Sequence, residues 1–213
     1  MSSVHPVTQI EPAPGASLNT IEAINQRVSV RAYTPQRLDE STVQCLLAAA
    51  IRAPTALHLE PWAFLVIQDV DVLKRLSDIA KPRFIAEIAH AHPGKGSHLA
   101  DEFAHPEFNL FYNAGTLIVI CGKSTAPFAV ADCWLAAENL MLAACSMGLG
   151  SCVIGSAVSA LNDPDLKAEF GIPRTLQAIA PIIVGVADAP VLPGSRKAPQ
   201  ILSWIRGGPP GGH

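Results

Sequence analysis

The stretch Thr125 to Gly150, TAPFAVADCWLAAENLMLAACSMGLG, constrains this chain more than any other. Pro127 suits a first helical turn, and Gly148 and Gly150 suit the turn just past a helix end. Between them the residues are apolar almost all round, with Asp132, Glu138 and Asn139 as the main exceptions. A surface helix carries one apolar stripe, whereas a helix apolar on every side is expected to be buried on every side. A chain of 213 residues then needs either a large core around this helix or a second copy of itself to cover it. Composition presses the same way, since 49% of the residues are hydrophobic and 15% are charged.

Around this helix the signals alternate irregularly. NTIEAINQR reads as a short helix, and LDESTVQCLLAAAIRAPT as a helix of about four turns, capped at Asp39 and stopped by Pro54. WAFLVIQD is a buried strand, followed by a helix near DVDVLKRLSDIAKP and a strand at GTLIVICGK. SCVIG is a short strand, NDPDLKAEFGIP a capped helix, and LQAIAPIIVGVAD the last long strand. No internal repeat is present, and the order is not a regular βαβ alternation. These signals specify an α+β fold with helices packed around a modest sheet. The length suits one domain over residues 17–206, with a flexible N-terminus (1–16) and a flexible Gly/Pro tail (207–213). From Ala189 the chain becomes a Pro-rich arm whose Ile201, Leu202, Trp204 and Ile205 are too apolar to float in water.

A net charge of −3 argues against a nucleic-acid or anionic-membrane binder. The N-terminus lacks the basic and apolar regions of a signal peptide, and no apolar run is long enough to span a bilayer. Cys45, Cys121, Cys133, Cys145 and Cys152 form no C-x-x-C pair, which fits free thiols in a reducing, cytoplasmic setting.

Four motifs carry chemistry. In RVSVR, period two places Arg27, Ser29 and Arg31 on one face and Val28 and Val30 on the other. Two guanidinium forks around a hydroxyl suit a phosphate, and equally suit a solvated strand face. GLGSCVIG lacks the dinucleotide-loop spacing and enters a strand where that loop enters a helix. Gly148 and Gly150 fit a helix stop, while Gly155 suggests a close backbone approach. Cys152 reads as a buried structural thiol, since no spacing supports it as a nucleophile. In APTALHLEPWAFLVI a helix gives way to a polar loop, Thr55 to Glu60, which a rigid frame would present to a ligand. His90, His92, His98 and His105 match no metal spacing, and the stretch Lys81–Pro106 reads as a mobile loop able to act as a substrate lid. Arg196 and Lys197 add two cations on the arm, either a solvated turn or further phosphate contacts.

In this order RVSVR, APTALHLEPW, AAENLMLAACSMGLGSCVIG, FGIP and GSRKAPQILSW resemble the FMN-dependent nitroreductase family, over about residues 20–206. The resemblance implies a central, mostly antiparallel sheet flanked by helices, and a homodimer in which arm 189–206 is swapped onto the partner. It implies that Arg27, Ser29 and Arg196 hold the FMN phosphate, with Arg31 at the ribityl chain and the N1–O2 edge. Pro54, Thr55, Ala56 and His58 would reach the flavin from the other subunit. Val153 and Ile154 would lie against the ring, and the Gly155 N–H near N5, with Val28, Cys152 and Lys197 completing the cofactor set. The implied activity is reduction of a small nitroaromatic, quinone or similar acceptor by NADH or NADPH in a ping-pong cycle, without metal and without a side-chain acid or base. Reductive dehalogenation, flavin fragmentation, or flavin holding without turnover are the alternatives. One departure stands out. His58 and Glu60 replace the family's common Asn and Gln, a pattern similar to the H-x-E-P-W of the iodotyrosine deiodinase branch.

Overall fold

The computed structural model describes residues 18–91, 101 and 103–206. Helix α1 (Thr20–Gln26) opens with a reciprocal cap, in which the Asn19 side chain accepts from the Glu22 N–H and Glu22 accepts from the Asn19 N–H. Helix α2 (Glu40–Ala50) is capped by Asp39, as its sequence specifies. It is three turns long and not four. Arg52 and Ala53 already bond i−3 carbonyls, those of Ala49 and Ala50, so the helix tightens and ends ahead of Pro54.

Strands β1 (Trp62–Ile67), β2 (Leu117–Lys123), β3 (Gly150–Val153) and β4 (Leu176–Gly185) form one sheet in the order β1-β2-β4-β3, every named pair antiparallel. The run LIVIC is uninterruptedly apolar because β2 is covered on both faces. Leu117, Val119 and Cys121 join the core on one side, while Ile118 and Ile120 join that on the other. A bulge opposite Ile120 and Cys121 skips Ile179 and switches the parity of β4. On the first side lie helix α3 (Val70–Ala91) and the segment around Phe111. On the second lie α2 and the long helix α4 (Ala129–Ser146). Short helices α5 (Val158–Leu161) and α6 (Pro164–Glu169), the latter capped by Asp163, complete the order before β4.

Two sequence expectations change here. Helix α3 does not end at Pro82 but runs on to Ala91, so the first part of the expected Lys81–Pro106 loop is helical. A proline inside a helix removes one hydrogen bond and crowds the preceding turn. Tertiary contacts outweigh that cost. Lys81 Nζ bonds the Phe108 carbonyl at 3.0 Å and pairs with Asp78, Arg83 pairs with Asp163, and Phe84 and Ile85 pack on the core. His92 and His98 lie outside the described residues, as do the termini 1–16 and 207–213. Among the described residues no helix is long and apolar enough to cross a membrane, and no cluster of three or more metal-ligating side chains occurs.

The second change concerns α4. Ala136, Ala137, Leu140 and Ala144 are fully buried, but Val130, Trp134 and Leu135 are exposed. One chain buries one flank of this helix and not the whole. Phe128, just before this helix, and Ile21 and Ile24 of α1 are exposed as well.

Candidate functional site

Arg27 follows the last residue of α1, where the backbone turns extended. Two residues on, Ser29 forms a parallel bridge to Ser151 of β3, and the Val30 N–H donates to the Ser151 carbonyl at 3.1 Å. RVSVR therefore runs as an extended segment joined to the edge strand β3 by this one bridge. Val30 is buried, and Gly150 makes room for it, since a Cβ there would sit 2.8 Å from the Val30 side chain. Ser29 and Arg31 are exposed on either side of buried Val30, the alternation that period two requires, while Arg27 and Val28 are both half-buried. The bridge brings the Ser29 side chain and the Arg27 and Arg31 guanidinium groups within electrostatic reach of the Cys152 thiol, and the chain continues from there to Val153, Ile154 and Gly155.

Cys152 is buried, with its thiol toward the Val153 carbonyl. Burial pushes that thiol up, against the opposing pull of Arg31, the Ser29 side chain and Arg27. It is a packed, protonated group and not an activated nucleophile. Beside it, burial raises the Tyr33 hydroxyl far above its ordinary range, with Cys152 adding to the shift and Arg31 opposing it. That hydroxyl has no hydrogen-bond partner among the described residues. At Gly155 an added Cβ would meet no atom of the described residues within 4 Å. It opens a short 3-10 turn whose first N–H groups have no partner within the turn. The sequence suggested a close backbone approach here, and among the described residues none makes one, so the space at Gly155 is open.

A groove of about 380 Å³ borders Arg27, Cys145, Gly150, Ser151 and Asp188. A second, of about 240 Å³, borders Arg31, Tyr33, Phe108, Tyr112 and Asp188. Val28 lines the first and packs partly on the core. Arg196 and Lys197 sit on the arm 189–206, which is exposed throughout and forms neither helix nor strand. Leu192 (85% exposed), Leu202 (90%) and Ile205 (93%) find no cover on their own chain.

The Pro54–Glu60 loop is placed elsewhere. Its Ala56 N–H donates to Asp132 Oδ1 at 3.2 Å, which ties it to the first turn of α4. Arg27 is tied to the same helix through Glu138, Nε to Oε1 at 3.6 Å. Six residues apart, Asp132 and Glu138 point roughly 120° away from each other around the helix. None of residues 54–60 lines the groove beside Arg27. Pro54, Thr55, Ala56 and His58 are thus separated from the Arg27, Ser29 and Arg31 set within one chain. The loop is also conformationally tense, with φ of 57° at Leu57, 53° at His58 and 41° at Glu60.

Sequence reasoning missed three residues that organise this region: Asp132, Glu138 and Tyr33. The first two had a signal, being the polar interruptions in an apolar helix. Tyr33 had none, because period two would set it outward with Arg31, yet its bridge to Ala187 turns it inward.

Comparison with known proteins places this geometry. The family model described as the Nitroreductase family matches residues 24–186. A protein of Methanothermobacter thermautotrophicus, provisionally named NADH dehydrogenase/NAD(P)H nitroreductase, is 26% identical over 176 residues, covering 80% of this chain and 78% of that one. A Bacteroides fragilis nitroreductase solved with bound FMN superposes with a TM-score of 0.74 at 26% identity, over 89% of this chain and 100% of that one. Iodotyrosine deiodinase 1 of Sus scrofa is 38% identical over 58 residues, which is 27% of this chain and 20% of that protein. With a match that spans both RVSVR and the β3 motif set against it, the chain belongs to the nitroreductase family.

Proposed function

We propose that this chain is an FMN-dependent oxidoreductase that takes electrons from NADH or NADPH and passes them to an electron-poor acceptor, a nitroaromatic or quinone, in a ping-pong cycle. It works as a cytoplasmic homodimer with two flavin sites. The Ser29–Ser151 bridge carries this reading, since it sets two guanidinium groups and a hydroxyl alongside an apolar rim that ends in an open glycine.

The residues present fit the cofactor: a cationic face at one end, apolar side chains beyond it, and free space at Gly155. When bound, FMN supplies two-electron redox chemistry that no side chain here possesses. Arg27 and Ser29 hold its terminal phosphate, and Arg196 and Lys197 reach that phosphate from the arm. Arg31 stabilises negative charge on the pyrimidine side of the ring. Val28, Cys152, Val153 and Ile154 form the apolar wall that keeps water away, and the Gly155 N–H donates toward the ring edge. Pro54, Thr55, Ala56 and His58 of a second copy close the pocket, which a single chain leaves half built.

Denaturing extraction of the purified protein should release FMN. Anaerobic mixing with NADH or NADPH should bleach the flavin band, and a nitroaromatic or benzoquinone should restore it. FAD in the extract, or a band that neither nucleotide bleaches, would falsify the reading. A second reading, reductive dehalogenation, is favoured by His58-Leu59-Glu60-Pro61-Trp62 and by the segment shared with the deiodinase. It wins if reoxidation requires a halogenated phenol and releases halide, while nitroaromatics and quinones leave the band bleached.

A further inference from the structure

Asp132 is 4% exposed in the first turn of α4, and no step above uses it. A carboxylate is costly to bury unless something is bonded to it. The helix N-terminus favours its charge, and the group it bonds is the Ala56 N–H. Ala56 begins the segment in which Leu57, His58 and Glu60 all adopt the left-handed region, a conformation L-residues avoid when free. Three such residues within four positions require constraint from outside. The Leu59 N–H closes a turn onto the Ala56 carbonyl, and the Lys123 N–H fixes the Pro61 carbonyl at 3.0 Å. Asp132 supplies the fixed point at the start of the segment, from the helix that also pairs with Arg27 through Glu138. Along this helix Val130, Trp134 and Leu135 lie exposed beside the two anchors.

We propose that Asp132 is a positioning residue. Through the Ala56 N–H it sets the Pro54–His58 loop in the left-handed conformation that completes the flavin pocket of a second copy. Helix α4 then carries both the half-site each chain keeps, beside Glu138, and the half-site it lends, held by Asp132. This rests on the proposed function, which supplies the flavin and the second copy.

The test is FMN titration of apoprotein, on variants whose dimeric state is checked by light scattering. Asp132→Ala should weaken FMN binding roughly tenfold or more, the scale of a lost hydrogen bond to a charged group. Asp132→Asn keeps an acceptor oxygen toward Ala56 and should restore most of the affinity. Ala56→Pro deletes the donor and leaves Asp132 in place, so it should reproduce the loss even if Asp132→Ala does not fold. Mixed dimers, co-expressed with two tags from Arg27→Ala and Asp132→Ala chains, separate positioning from general weakening. One of their pockets carries both changes and the other none, so one FMN per dimer should bind with wild-type affinity. Two equally weakened sites in the mixed dimer overturn the inference, as does wild-type affinity in both Asp132→Ala and Ala56→Pro. A wild-type protein that binds no FMN overturns the proposed function, and this inference with it. A wild type that binds FMN beside indifferent variants overturns the inference alone.

Discussion

Arg27 has two claimants: the Glu138 carboxylate at 3.6 Å and the phosphate proposed to lie beside Ser29. The pair with Glu138 involves a half-exposed carboxylate, and such pairs contribute little on their own. A phosphate taken by the guanidinium fork is the stronger partner. Arg27→Ala should therefore weaken FMN binding by about 1.5–3 kcal/mol, read by calorimetric titration, and unchanged affinity would return RVSVR to an ordinary solvated strand face. The thiols make a different prediction. Burial pushes Cys133 up to about 12, with Cys121 and then Asp132 adding to it, and pushes Cys121 up to about 11 against the pull of Lys167. Unfolded, both thiols ionise near 9.0, while the folded chain keeps their protons. Above that pH the unfolded state binds fewer protons, so stability falls from about pH 9 toward 12 and is flat with respect to these groups below. Urea midpoints measured across that range should show the decline, and a Cys121→Ala, Cys133→Ala double variant should show a shallower one. At this scale the sequence was legible wherever a local period governs, as at Arg27, Ser29 and Arg31. Asp132 stood out as a polar residue in an apolar helix, but its partner Ala56 lies 76 positions away, and nothing local points to it.

The four strands and the starts of the main helices lie where hydrophobic runs, caps and glycine stops put them, because those signals are short-range. The end of α3 is the instructive exception. Pro82 is a local argument for stopping, and it is overruled by contacts with residues far along the chain: Phe108 through Lys81, and Asp163 through Arg83. Lys81 is itself mostly buried, 9% exposed, and its Nζ joins α3 to the turn that shapes the groove beside Arg31. Lys81→Met keeps the bulk and removes both bonds. It should lower stability by about 1.5–3 kcal/mol, seen as a drop in the urea midpoint at constant slope. A shift within error would mean that Phe84 and Ile85 hold the helix across Pro82 without help.

For the whole molecule the telling feature is how much apolar surface one chain leaves uncovered: Ile21 and Ile24 of α1, Trp134 and Leu135 of α4, and the arm from Val191 to Ile205. Exposed apolar side chains in such number on one chain point to a contact face. Truncation after Asp188 should cost dimerisation and flavin binding together, because Arg196 leaves with Ile201, Leu202 and Trp204. Light scattering and flavin absorbance on the truncated protein decide the matter, and a truncated dimer that keeps its full complement of FMN would show the arm to be dispensable. The separation of the Ala56 loop from Arg27, on different sides of α4, has a further consequence. The flavin pocket proposed above, needing two chains, would exist only as often as two chains meet. At abundances below the dimer's dissociation constant, loaded enzyme would rise with the square of the amount synthesised. Reductive capacity in a cell would then respond to gene dosage more steeply than in proportion, and simple dilution would strip the yellow colour from the protein.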